Sequence, residues 1–510
     1  MKKDKILGTI SAGDEKTARA GKEMLKLGGN AYDAMCACLL AAPLCEPILT
    51  SLGGGGFMLS TQDGKEPKVY DFFVDVPPKD IDNPEFYPIE VDFGTTVQEF
   101  HIGCGSVAVP GVLKGIWKIY EDLCSLPMET IIKPACDYAK NGIYLSKVQA
   151  DFLKLLTPIF MSTKPSRDIY TRDGKLIDET QLFKNQDYAI FLKEFAKKGS
   201  DLFYEGEISD EIEKVSTENR GLLTKKILQN YKVIKKSPLK FRYKDFDIYT
   251  NPPPSSGGIL TAFSLLLLED EKLGNYREQN YFQKLIEAQE ITREFRKQKV
   301  DEFLHTNNLR DVLSDDRLLD SYKKSFKKRV NQWGNTTHIS IIDSFGNGAS
   351  VTTTNGEASG YIVPHTGIML NNMLGEEDLN PHGFFGWQSG IRLPSMMAPT
   401  ALMRDGKLEL LLGSAGSNRI RSALLQTILN YTHFKMSVQE AINEPRIHYE
   451  NGMIFTEPPL HVELGGLKDI YELNEFKSLN LFFGGVQAVN ADFDGGADPR
   501  RGACVLRVKV

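Results

Sequence analysis

Much that would classify this chain at once is missing from it. Its 510 residues hold 7 cysteines, an odd number spread along the whole length, which excludes a disulfide-stapled fold. Lys and Arg total 61 against 67 Asp and Glu, a net charge of −6, so no excess of either sign invites nucleic acid or an anionic membrane. No apolar run is long enough to span a bilayer, and the longest, residues 34–45, is interrupted by Pro43. The segment before Asp14 opens with charge and has no apolar core of signal-peptide length, so the expected compartment is the reducing cytoplasm. The eight histidines (His101, His305, His338, His365, His382, His433, His448, His461) lack metal-ligand spacing, and no cofactor or metal is expected. Cys36 and Cys38 are not spaced as zinc ligands and read as small hydrophobes of a buried helix. No internal repeat is visible.

What is present is an average globular composition, 41% hydrophobic and 25% charged. At about 150 residues per domain the length alone suggests about three domains. Residues 16–27 read as an amphipathic helix closed by Gly28-Gly29-Asn30, and 31–42 as a nearly all-apolar one. Gly53-Gly54-Gly55-Gly56 leads into a buried strand at 57–60; with no Lys-Ser/Thr after them these glycines form a tight turn, not a phosphate loop. The stretch 112–300 is helix-rich, with helices expected over 111–123, 128–141 and 282–303. Inside it, Asn251-Pro252-Pro253-Pro254-Ser255-Ser256-Gly257-Gly258 forbids regular structure and places Ser256 to cap a helix over 257–269.

From Thr336 onward the texture changes to short strands and glycine turns. Residues 337–343 alternate, turn through Phe345-Gly346-Asn347-Gly348 and return at 349–354; 401–404 and 407–412 flank the hairpin dipeptide Asp405-Gly406. Helix runs mixed with antiparallel hairpins argue for helices layered over sheets, not a doubly wound parallel fold. The basic run Lys323-Lys324-Ser325-Phe326-Lys327-Lys328-Arg329 has no matching stripe elsewhere and reads as an exposed linker.

Asn335-Thr336-Thr337-His338 sits where that linker meets a strand. Threonines are ordinary in strands. If the bond before Thr336 is cut, however, the residue carries both a hydroxyl and an α-amine of pKa near 8, which takes the hydroxyl proton as an intramolecular base. Around this point the chain resembles the gamma-glutamyltranspeptidase (glutathione hydrolase) family of N-terminal-nucleophile hydrolases. The resemblance rests on Gly28-Gly29-Asn30-Ala31-Tyr32-Asp33-Ala34, the Gly53–Gly56 run, Val109-Pro110-Gly111, residues 251–258 and Thr336-Thr337-His338-Ile339-Ser340. It continues through Leu370-Asn371-Asn372-Met373, Pro394-Ser395-Met396, Gly413-Ser414-Ala415-Gly416-Ser417, Asn443-Glu444-Pro445-Arg446 and Ala497-Asp498-Pro499-Arg500-Arg501, in family order.

The resemblance implies an α+β fold, a four-layer αββα sandwich, and a precursor that cuts itself into a large subunit, 1–335, and a small subunit, 336–510. It implies a small-molecule amide as substrate and water or an amine as acyl acceptor. Thr336 would be nucleophile and base, Thr354 would hydrogen-bond it, and the N–H groups of Gly416 and Ser417 would hold the oxyanion. Departures concentrate on substrate binding. The family's Arg-Glu-x-Ala-Pro stretch, whose arginine binds the glutamyl α-carboxylate, corresponds to Phe73-Val74-Asp75-Val76-Pro77. Its Ser-Ser pair becomes Ser395-Met396, an Asn becomes Gly356, a Gln or Glu becomes Met373, and an acidic ligand of the α-amine becomes Glu376. Phe73 and Met373 would make the pocket more apolar, with Arg392 and His365 as candidates to replace the lost cation. Residues 375–390 take the place of the family's lid. The reaction class thus stands apart from the identity of the acyl group. A γ-glutamyl hydrolase or transferase, an amidohydrolase for another acyl group such as a dicarboxylic acid monoamide, and a non-catalytic binding protein are the readings. Thr336, Thr354 and Gly416 together argue against the last.

Overall fold

A computed structural model describes residues 5–92, 97–276, 278–301, 303–305, 336–458, 460 and 465–510. The basic run and Asn335 lie outside the described residues. In chain order the sheet strands are β1 (Ile6–Ala12), β2 (Gly55–Gln62), β3 (Lys65–Phe72), β4 (Ile234–Lys236), β5 (Leu239–Tyr243), β6 (Phe246–Thr250), β7 (Thr337–Asp343), β8 (Gly348–Thr354), β9 (Thr400–Arg404), β10 (Lys407–Ala415), β11 (Gly485–Asn490), β12 (Gly495–Ala497) and β13 (Cys504–Lys509). One antiparallel sheet runs β4-β3-β2-β8-β7-β1-β13 and a second β5-β6-β9-β10-β11-β12.

Period-2 alternation explains how the sheets stack. Ile339 and Ile341 of β7, Val351 of β8 and Met58 of β2 join one core. Phe57 and Leu59 of β2 and Ile342 of β7 join another, with Leu410 and Leu412 of β10. The first core lies under helices α1 (Glu15–Lys26) and α2 (Ala31–Cys45). The second sheet is covered by α3 (Ser256–Leu268), α4 (Gln279–Phe295) and α5 (Arg419–Thr432). The order is helices, sheet, sheet, helices: the expected αββα sandwich.

Local chemistry sets the boundaries. Asp14 caps α1, accepting from the Lys16 N–H at 2.8 Å, and Gly28, at φ +87°, turns the chain away from its end. Asn30 and Asp33 form a reciprocal capping box on α2, every residue of which is buried, Cys36 and Cys38 included. Among the described residues no helix is long and apolar enough to cross a membrane.

Three expectations need correcting. The helix read over 128–141 is two, Met128–Ile131 and Lys133–Asn141, broken just before Pro134. Ser256 does not cap α3 but begins it. Ser255 stands at the cap and turns its hydroxyl away, donating to the Ser395 and Met397 carbonyls at 2.8 and 2.9 Å. Those neighbours are distant in sequence, so local capping rules do not find them. The long helix expected over 282–303 keeps its α-form over Gln279–Phe295 and widens to a π turn at Arg296–Val300.

Between the sheets runs a polar seam. The fully buried His338 ring hydrogen-bonds Thr352 Oγ1 at 2.7 Å, Ser340 Oγ at 2.9 Å and Ser350 Oγ at 3.2 Å. Burial drives its pKa down to about 3, so the imidazole is neutral. The opposite sheet passes so close that a Cβ at Gly413 would lie 2.1 Å from His338 Cε1. Gly413→Ala is therefore expected to overpack the seam and cost about 1–3 kcal/mol, read as a lower urea midpoint with unchanged slope; an unaltered midpoint would show the sheets free to part.

Candidate active site

Strand register brings the two threonines together. Thr337 pairs with Thr353 across β7 and β8, so the next position outward sets Thr336 beside Thr354. Each side of this pair is held. The Arg501 guanidinium donates to the Thr336 carbonyl at 3.2 Å, and the Thr354 hydroxyl accepts from the Gly356 N–H at 3.0 Å. Gly54 must be glycine here, because a Cβ would sit 2.1 Å from the Thr354 carbonyl oxygen.

One cavity meets both threonines. Its walls are Phe73, Thr336, Thr354, Glu376, Asp378, Leu379, Ser395, Met396, Met397, Ser417 and Ile420. Phe73 leaves the end of β3 and stacks on Phe57 with ring centroids 5.2 Å apart. The 395–397 wall is fixed by the start of α3: the Ser256 and Gly257 N–H groups donate to the Ser395 carbonyl at 2.8 and 3.2 Å. A Cβ at Gly257 would lie 1.9 Å from the Met396 oxygen, which accounts for the glycines after the proline run.

Gly416 and Ser417 form the turn between β10 and α5, at φ +117° and +48°. Their N–H groups make no hydrogen bond to another described residue, which leaves two adjacent donors for an oxyanion. The Ser417 hydroxyl donates to Asp378, whose other oxygen accepts from Asn418 Nδ2 at 2.9 Å. Burial, largest among the causes, lifts the Asp378 carboxyl despite Ser417 and Arg296.

Most of the residues singled out by sequence converge here. Thr336, Thr354, Ser417, Phe73, Ser395, Met396 and Glu376 line the cavity and Gly416 adjoins it. Met373 does not: it is buried in the apolar core beside the wall. Arg392 does not replace the lost cation. Its Nε faces Asp71 and Asp75, both at 3.3 Å, its Nη1 donates to the Phe73 carbonyl and, at 2.6 Å, to the Tyr231 hydroxyl, and its Nη2 donates to the Lys232 carbonyl at 2.7 Å. His365 is exposed, at φ +60°, and is not part of the wall. Asp378, Leu379, Met397 and Ile420 were missed; the acid run Glu376-Glu377-Asp378 was the one sequence signal for any of them.

Beneath the threonines lies a carboxylate that sequence reading also passed over. Glu46, at the end of α2, is fully buried and accepts from Thr337 Oγ1 at 2.6 Å and Thr17 Oγ1 at 3.0 Å. Burial pushes its pKa up to about 7, against the pull of those hydroxyls and of Arg501.

Two facing antiparallel sheets between helix layers, with a threonine heading an inner strand beside a cavity, have the architecture of the N-terminal-nucleophile hydrolases. The chain belongs to the gamma-glutamyltranspeptidase family, whose model matches residues 17–507. It is 31% identical to the capsule biosynthesis protein CapD proenzyme of Bacillus anthracis, over 98% of this chain and 90% of that protein. It is 28% identical to the glutathione hydrolase proenzyme of Escherichia coli, over 97% and 90%. Its fold matches the crystal structure of a cephalosporin acylase from Bacillus halodurans with TM-score 0.87 at 21% identity, covering 99% of this chain and 96% of that one.

The Glu46 carboxyl gives a pH test. Its folded pKa is raised above 4.5, so its contribution to stability is complete below about pH 4.5 and lost as pH climbs through about 7. Glu46→Gln removes that loss. Between about pH 4.5 and 8 the unfolding free energy of the variant should gain about 3 kcal/mol on the wild type, in parallel denaturant titrations. A constant difference would show that Glu46 ionises as an ordinary carboxylate.

Proposed function

We propose that the chain is a self-processing amidohydrolase and acyltransferase that cleaves γ-glutamyl-type amides through an ester on Thr336. The observation that carries this reading is the register-enforced pair of Thr336 and Thr354 at one cavity with the turn Gly416-Ser417. Scission of the Asn335–Thr336 bond frees the α-amine of Thr336. That amine takes the hydroxyl proton while Oγ bonds to the amide carbon. The oxyanion rests on the N–H groups of Gly416 and Ser417. The C–N bond then breaks, the amine passes its proton to the departing nitrogen, and water or an acceptor amine attacks the ester and regenerates Thr336. Relatives named proenzymes support the processing step.

The strand order supports two chains that stay together. β7 and β8, from the small chain, lie between β2 and β1 of the large one, and β9 and β10 continue the sheet begun by β5 and β6. Separation would tear both sheets.

A denaturing gel of the purified protein should show bands of about 38 and 20 kDa, the smaller beginning at Thr336, which co-elute under native conditions. Thr336→Ala should give one band of full length, 57.1 kDa, and no turnover of γ-glutamyl p-nitroanilide. Thr354→Val, which would remove the hydrogen bond that this reading assigns to the reacting oxygen, should lower kcat about 10- to 100-fold. An uncleaved wild type whose activity survives Thr336→Ala would sink the reading.

A further inference from the structure

Of the residues that line the cavity, Glu376 and Asp378 are the ionisable ones, and both are acids. Asp378 is already engaged by Ser417 and Asn418. Glu376 is not: its Oε1 is buried and has no hydrogen-bond partner among the described residues. That oxygen reaches its position because residue 356 is glycine, where a Cβ would lie 2.4 Å from it. Burial, with Glu357 and Asp378 nearby, holds the Glu376 carboxyl well above the usual carboxylate range. The apolar walls are Phe73, Leu379, Met396, Met397 and Ile420, the hydroxyls of Thr336, Thr354, Ser395 and Ser417 lie between them, and Arg392 is turned behind Phe73 and occupied there.

A buried anion needs a partner, and a buried ammonium needs an anion. Here the partner for a cation is in place, with one acceptor unfilled. A carboxylate on the acyl group would find hydroxyls such as that of Ser395, but apolar surface and two other acids where it would need a side-chain cation. We propose that the acyl group this site selects carries an ammonium and no carboxylate: a short ω-aminoacyl chain such as 4-aminobutanoyl, which is a γ-glutamyl group without its α-carboxylate. The proposal rests on the acyl-Thr336 reading above and narrows its substrate. Glu376 binds the ammonium, while Phe73 and Met396 occupy the space where a carboxylate would need a cation.

The test compares four p-nitroanilides with the processed wild type: 4-aminobutanoyl, γ-L-glutamyl, glutaryl and butanoyl. kcat/KM for 4-aminobutanoyl should exceed each of the others at least tenfold, with glutaryl the poorest. Glu376→Gln should collapse the ratio of 4-aminobutanoyl to butanoyl to below about two, a ratio that general damage to the fold would not move. Phe73→Arg, if it folds, should raise γ-glutamyl relative to 4-aminobutanoyl. A wild type that prefers γ-glutamyl or glutaryl overturns the proposal and leaves the hydrolase reading standing; so does a ratio unmoved by Glu376→Gln. Failure to turn over any of the four, with Thr336 at a free N-terminus, removes the hydrolase reading and this one with it.

Discussion

The head of β7 is an interior position, and the candidate chemistry follows from that constraint. The ladder to β8 fixes the backbone from Thr337 onward, and the ladder to β1 joins it from Ile339. A residue just before such a strand has little freedom left, so its hydroxyl is delivered by the sheet and not by a loop. Two further contacts remove the remaining slack. Thr337 donates to Glu46, which Thr17 holds from its other oxygen, and the carbonyl of Thr336 is tied to Arg501. Arg501 is itself buried, and burial lowers its pKa to about 10, which still leaves it a cation at neutral pH. Glu46 and Arg501 therefore form an electrostatic floor under Thr336, with an acid near its midpoint at neutrality.

The same interior placement explains the polar seam. Alternate residues of β7 serve two masters: Ile339 and Ile341 feed the helix-covered core, while His338 and Ser340 face the other sheet. Large apolar side chains there would push the sheets apart. Hydroxyls and one neutral imidazole, hydrogen-bonded to one another and to the Leu412 and Gln487 carbonyls, fill the gap at close approach. Small polar groups in this setting act as spacers. The distance they set between the sheets also sets how near β10, and with it the turn Gly416-Ser417, comes to the end of β8.

Elements whose cause is local were legible. The hairpin 337–354 shows its period of two and its glycine turn, Asp405-Gly406 adopts the two positive φ values that its dipeptide favours, and α2 announces itself as a nearly all-apolar run after Gly28-Gly29-Asn30. The site was legible differently. Its residues come from segments centred near 73, 336, 354, 376, 395 and 416, and no spacing rule joins them; the resemblance did. What the structure altered were particular placements that depend on a tertiary partner. Arg392 went to Asp71 and Asp75, Ser255 and not Ser256 took the cap position, and Met373 turned into the core. Leu379, Met397 and Ile420 carry no signal at all, since an apolar wall residue and an apolar core residue look alike in sequence.

The departures from the family's binding pattern are not independent of one another. Residue 356 sits at φ +64°, where a Cβ would lie 2.2 Å from Asn372 Oδ1 and 2.4 Å from Glu376 Oε1. An asparagine at 356 and a glutamate reaching into that space exclude each other, so glycine at the first goes with the longer acid at the second. On the opposite wall, Phe73 stacks on Phe57 while its carbonyl is held by Tyr231 and Arg392. An arginine side chain at 73 would lose that stacking and bring a second guanidinium near the one already balanced by Asp71 and Asp75. Each wall is thus internally consistent: an acid with room to extend on one side, an aromatic braced from behind on the other. Neighbouring residues on each wall therefore agree with the departure beside them, so the departures form coupled sets and not scattered single changes.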